Sequence, residues 1–220
     1  MSAWNKLLRK IEQSPDRDFW SLELSGNILE LSVPPPRESK VDEYRRSVIK
    51  IGKIIQQIRN EQKAGLPKPT VQLFPNLMDI RLIAVLRPAE NGRHTEDSFT
   101  NQKFDISFDE FIKNNTEESS IFADTLNPDN EILQHLNINR SSEQYKACVI
   151  SSLVNNPFIW VRTGYILENI LTYFNKKEIT DKPEIFENLN IPLKKIITKR
   201  LTDNRVPQAI VLLNKETLAI

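Results

Sequence analysis

The sequence predicts an α+β fold, mostly antiparallel sheet with surrounding helices, in a single domain spanning residues 1–220 whose two related halves, about 1–90 and 91–220, pack as a pseudo-dimer. Three observations predict it. Two long stretches, 40–63 and 157–174, carry apolar residues at steps of three and four, the period of a helix. Around them lie short segments that alternate apolar with polar, or run apolar, between turn residues, as strands do. Finally, Ile51-Gly52-Lys53-Ile54-Ile55-Gln56-Gln57-Ile58 aligns without gaps on Thr163-Gly164-Tyr165-Ile166-Leu167-Glu168-Asn169-Ile170, an offset of 112 residues. Self-similarity near half length points to a duplicated unit. Shared helical spacing accounts for most of that match, and the paired glycines are what exceed it.

Taken in order, Ser2–Gln13 reads as an amphipathic helix with Trp4, Leu7, Leu8 and Ile11 on one side, ended by Ser14-Pro15-Asp16. Phe19–Leu24 and Ile28–Val33 alternate about Ser25-Gly26-Asn27, a β-hairpin pattern. The triple proline 34–36 forbids helix and central strand alike. Val41, Tyr44, Val48, Ile51, Ile55 and Ile58 then form one helical seam, stopped by Gly65 and Pro67. Thr70–Phe74 and Arg81–Leu86 read as strands, the second nearly continuous in apolar residues and so buried.

Arg87–Asp105 has no period and reads as a loop; Ser107–Lys113 reads as a short helix with a Ser107/Glu110 capping box. Ser120–Leu126 is a strand, Pro128–Leu136 a helix, Tyr145–Val154 a buried strand. Pro157 opens the second long helix, whose stripes (Trp160, Gly164, Leu167, Leu171, Phe174 and Ile166, Ile170, Tyr173) leave little more than Arg162, Glu168 and Asn169 for water. Ile191–Leu201 is helical, and Pro207–Leu213 is an apolar strand.

Lys plus Arg number 30 against 29 Asp plus Glu, so no whole-chain field favours nucleic acid or an anionic membrane. No apolar run approaches the roughly 20 residues that cross a bilayer. One cysteine, Cys148, excludes an intrachain disulfide framework; with no signal peptide in view, the expected location is cytoplasmic. Cys148 sits in an apolar strand and reads as core, and the two histidines, His94 and His135, have no ligand spacing, so no metal site is expected. Arg93-His94-Thr95, in a loop, are the residues suited to an anion.

Four segments together resemble the nitroreductase superfamily of flavin-dependent oxidoreductases, and within it the branch often called the Acg family, in which two incomplete halves share one chain. They are Ser14-Pro15-Asp16-Arg17-Asp18-Phe19-Trp20; Ile51–Ile58 running on to Gly65 and Val71–Pro75; Arg93-His94-Thr95 with Phe99; and Trp160-Val161-Arg162-Thr163-Gly164 followed by Pro207-Gln208-Ala209-Ile210-Val211. The resemblance implies a nitroreductase-like fold, FMN where the halves meet, and hydride transfer from NAD(P)H to a small organic acceptor. It places Arg93, His94 and Thr95 at the phosphate or ribityl chain, Ser14 and Trp20 at the flavin rim, and Gly164 where backbone approaches closely; it assigns no catalytic residue. The sequence departs from the family pattern at Asp18-Phe19, where Gln-Pro is usual, at Glu96-Asp97, where Asn-Arg is usual, and at Leu213-Asn214, where Arg-x-Gly is common. Those departures imply an alternative: a fold relative without catalysis that sequesters flavin or serves as partner subunit of a biosynthetic enzyme. A third reading makes the seam of Lys40–Lys63 a docking face, for a homodimer or another protein.

Overall fold

The computed structural model describes residues 20–34, 41–61, 69–87, 106–116, 120–139 and 141–218. The chain divides into two compact units, Met1–Thr100 and Asn101–Ile220. The architecture is α+β, with one four-stranded antiparallel sheet in each unit. The helix expected at Ser2–Gln13 and the loop over 88–105 lie outside the described residues.

The first unit runs β1 (Ser21–Ser25), β2 (Ile28–Ser32), α1 (Val41–Glu61), β3 (Thr70–Leu73) and β4 (Leu82–Arg87), with sheet order β1-β2-β4-β3. Ser25 pairs with Ile28 across a two-residue loop in which Gly26 takes φ 61°, a left-handed conformation that glycine adopts without steric cost. One sheet face carries the row Leu24-Leu29-Leu86-Val71, and Leu29, Leu31, Ala84 and Leu86 on it are fully buried. This is the face that takes the apolar seam of α1, whose Val48, Ile51, Ile55 and Ile58 are likewise at 0% exposure. Each such side chain contributes roughly 1.5–3 kcal/mol relative to leaving it in water.

The second unit runs α2 (Phe108–Thr116), β5 (Ile121–Leu126), α3 (Asn130–His135), a 3₁₀ turn (Ser142–Gln144), β6 (Tyr145–Ser152), α4 (Pro157–Lys176), β7 (Glu184–Phe186), α5 (Ile191–Thr198), a 3₁₀ turn (Thr202–Asn204), β8 (Val206–Asn214) and α6 (Lys215–Leu218). Its sheet order is β5-β6-β8-β7. α4 contacts β5 and β8, and α2 contacts α4. The opposite sheet face, with Tyr145, Ala147, Val149, Ile210 and Leu212, packs under α3 and α5 through Ile132, Leu133, Leu193 and Ile197. Both faces are thus covered, which is why β6 and β8 are buried almost end to end. Caps fix the helix starts: Asn156 accepts from the Ile159 N–H (3.0 Å), Asp129 from Ile132 (3.0 Å) and Asn190 from Leu193 (2.9 Å).

The two units follow one plan. Each is two strands, a long helix, then two strands, in sheet order first-second-fourth-third. Each also bulges at the same place. β2 and β4 shift register between Leu31 and Ser32, leaving Ile83 unpaired; β6 and β8 shift between Ile150 and Ser151, leaving Gln208 unpaired. In both, the next residue of the fourth strand is alanine, Ala84 or Ala209. A shared bulge is a specific feature rather than a consequence of apolar spacing. α1 and α4, matched by the offset of 112, occupy the same topological place, and that offset carries β3 onto residues 182–185, beside β7. The spacing differs where the second unit adds α3 inside its first hairpin and α5 inside its second.

Three sequence expectations change. The seam of Lys40–Lys63, read as a docking face, is core instead: Val48, Ile51, Ile55 and Ile58 are fully buried within the first unit. β7 falls where no strand is expected: three residues cannot display a period. Asn169, placed towards water by its polarity, is buried at 2%; its amide donates to Asn115 Oδ1 (2.8 Å), whose own amide donates to the Phe111 carbonyl (2.8 Å), closing a polar link between α2 and α4. Among the described residues, no helix is long and apolar enough to cross a membrane.

Candidate functional site

The most distinctive surface of the first unit is the turn joining β3 to β4, Phe74–Arg81. Its residue types dictate a fixed shape. The Asn76 side chain accepts from the Met78 N–H (3.0 Å), the Asp79 N–H donates to the Asn76 carbonyl (3.1 Å), and the Leu82 N–H donates to the Asp79 carbonyl (3.2 Å). Asp79 also accepts from the Arg81 backbone (3.1 Å) and, in a fork, from Arg81 Nε (2.8 Å) and Nη2 (2.9 Å). Those bonds from Arg81 hold the Asp79 carboxyl below the usual aspartate range. From α1, the Tyr44 hydroxyl donates to the Ile80 carbonyl (2.8 Å), and burial raises its pKa.

On this braced frame stand Leu77, 77% exposed, Met78, 93%, and Ile80, 49%. Phe74 enters the turn at φ 47°, a left-handed conformation that costs a bulky residue on the order of 1–2 kcal/mol. Within the described residues of the first unit, a strained non-glycine backbone and three exposed large apolar side chains thus fall in one short segment. An unbranched thioether beside a leucine is chemistry suited to an adaptable apolar contact with another protein.

In the second unit, several buried or partly buried polar side chains are committed to the fold, although Ser151 Oγ and Asp124 Oδ2 are buried without a partner among the described residues. Arg205, 4% exposed, donates to Asp124 Oδ1 (2.9 Å), Thr202 Oγ1 (2.7 Å) and the Thr202 carbonyl (3.0 Å), with its guanidinium 4.6 Å from the Phe122 ring centre. Since Arg205 leads into β8 and Asp124 lies on β5, it ties the sheet across β6. Gln208, at the bulge, donates to Ser152 Oγ (3.0 Å) and Asn155 Oδ1 (3.4 Å), and Asn155 also accepts from Trp160 Nε1 (2.6 Å), anchoring the β6–α4 connection. Lys146 pairs with Asp109 (2.9 Å), and Arg200 with Asp129. Burial pushes the Cys148 thiol up to about 12, so it stays protonated and inert, as its place in the core row implies.

Of the sequence-predicted site residues, Ser14, Arg93, His94 and Thr95 lie outside the described residues. Trp20 belongs to the first unit and Gly164 to the second. Trp20, just before β1, is 3% exposed, and its indole N–H has no partner among the described residues. Gly164 is buried within α4. Among the described residues no group of three or more His, Cys, Asp or Glu could hold a metal ion. The sequence reading missed the Leu77–Met78 display. The signal for it was Asn76-Leu77-Met78-Asp79, apolar residues inside a turn sequence, where the surroundings ask for polar ones. The chain matches no protein-family model and no curated protein.

Proposed function

We propose that this chain is a non-catalytic binding protein that presents Leu77 and Met78, on the braced β3–β4 turn, to an apolar pocket of a partner protein. The supporting observation is that display itself: two neighbouring large apolar side chains almost fully in water, on a turn whose bonds and strained Phe74 keep it from folding them away. It agrees with the partner-subunit alternative, in which a biosynthetic enzyme supplies the chemistry. A photoreactive residue placed at Met78 of the full chain tests it. The expected result is one discrete adduct, lost when Leu77→Ser is added, with the unfolding transition unchanged. Smearing or no adduct, or the same adduct from a photoreactive residue at Glu30, contradicts it.

Trp20 favours a second reading, a divergent FMN-dependent oxidoreductase of nitroreductase-like fold with its halves packed as a pseudo-dimer. A buried indole N–H without a partner among the described residues is a donor suited to a flavin carbonyl, so this residue fits the group. FMN, when bound, supplies hydride chemistry from NAD(P)H; Trp20 would hold the rim of its ring and Gly164 would permit close backbone approach. Flavin absorbance in the purified protein, bleached by NADPH, together with a Trp20 fluorescence change on adding FMN, supports this reading; a colourless protein whose Trp20 emission ignores FMN removes it.

A further inference from the structure

Among the described residues, β1 is an edge of the first unit's sheet with no strand on its outer side. β1 pairs with β2 in unbroken register over all five residues, from Ser21 with Ser32 to Ser25 with Ile28, and Ser21, Glu23, Leu24 and Ser25 are exposed. It holds no proline, lysine or bulge, and of the devices by which edges are normally blunted it carries a single charge, Glu23. The other edges differ. β7 is three residues long and follows Pro183, the exposed Phe122 of β5 lies under the Arg205 guanidinium, and β3 runs straight into the Phe74 turn.

The charge on β1 says what could lie beside it. Glu23 stands directly opposite Glu30, two carboxylates across one strand pair, an arrangement that opposes sheet stability. A strand added outside β1 would place one residue opposite Glu23 on that face, and its neighbours on either side opposite Leu22 and Leu24 on the apolar face. A lysine or arginine flanked by aliphatic residues meets all three. A second copy of this chain does not: antiparallel β1–β1 pairing centred on Glu23, the register that uses all five residues, would bring two Glu23 together beside two Glu30.

We propose that the β1 edge takes up an extended segment of another polypeptide with an aliphatic-basic-aliphatic pattern, added as a fifth strand with its cation against Glu23 and Glu30. This rests on the reading of the chain as a binding protein, but on a different surface from the Leu77–Met78 turn. The test is residue-resolved amide exchange of the full chain with a capped synthetic peptide of alternating valine and lysine at millimolar concentration. Exchange over Ser21–Ser25 should slow by about tenfold or more, should not slow with the valine-glutamate counterpart, and should lose the effect in Glu23→Lys. No slowing at β1, equal slowing by both peptides, slowing only at β3, β5 or β7, or a dimer formed through β1 overturns it. Protection at β1 without a Met78 adduct retires the turn and keeps the edge; an adduct without protection does the reverse.

Discussion

The two sheets share a backbone plan and differ in what they do with their second face. In the first unit the register row on that face reads Glu23-Glu30-Val85-Gln72; at the matching positions of the second it reads Asp124-Val149-Ile210-Phe186. Arg87, which donates to Gln72 at 3.0 Å, corresponds to Leu212, which lies under α3 and α5. The helix-side rows agree in character by contrast: Leu24-Leu29-Leu86-Val71 against Thr125-Cys148-Val211-Ile185. The lesson is that the helix-side rows keep their apolar character, whereas the other face varies: in the first unit Val85 is buried between the partly exposed Glu30 and the exposed Gln72, and in the second the row lies under helices. Adding a helix inside each hairpin of the second unit had to be matched by apolar side chains beneath.

The largest test of that comparison is Val149→Glu, which writes the residue of Glu30 into the covered face. It places an unpaired carboxylate under α3 and α5 and should cost about 3–5 kcal/mol in urea unfolding; a loss below about 1 kcal/mol would mean that this face is not closed. Next comes the bulge. Gln208→Ile, the residue of the matching position Ile83, removes the bonds to Ser152 and Asn155 and should cost about 1–3 kcal/mol, whereas the bulge itself should survive. A variant as stable as the parent would show that the Gln208 side chain does not hold the β6–α4 connection.

A smaller effect belongs to α3, which the first unit lacks. Burial opposes ionisation of Asp129, but bonds from Arg200 and the Ile132 N–H outweigh it and hold the carboxyl below the usual aspartate range. Asp129→Ala should therefore cost about 1 kcal/mol at neutral pH. Because the folded-state pKa is depressed, that contribution is complete above the ordinary aspartate pKa and disappears as pH falls through the lower folded value. Parent and variant should converge in strong acid, read from unfolding midpoints; a gap that persists there would put the effect elsewhere. Smallest is Glu30→Val, which gives the first unit the residue of Val149. It relieves the Glu23 pairing and should leave stability unchanged or raise it by up to about 0.5 kcal/mol; a clear loss would mean that Glu30 has a structural partner.

Much of this plan was legible in the residues. Six apolar positions at steps of three and four are enough to mark α1, Gly26 between alternating runs marks the first hairpin, and Pro157 marks the start of α4. The matched Gly52 and Gly164 led to helices that do occupy equivalent places. What stayed hidden depends on partners distant in sequence. Asn169 looks like a solvent residue until Asn115 is beside it, and β7 is too short to announce itself. The Gln208 bulge had a signal that went unread: Pro207 near the start of a strand flanked on both sides, where a proline is tolerated at a strand start or a bulge. The site was less legible. Trp20 is a core residue with an orphan donor, and the exposed Leu77 and Met78 carry no motif at all.

Amide exchange resolved by strand is the most direct measurement of the central claim, that β6 and β8 are buried on both faces almost end to end, whereas in the first unit β4 is buried on both and β2 on alternate residues only. The expected result is that β6 and β8 exchange at least about tenfold more slowly than β2, with β1 fastest of all. Equal protection of the four central strands, or a β1 as slow as β2, would contradict it.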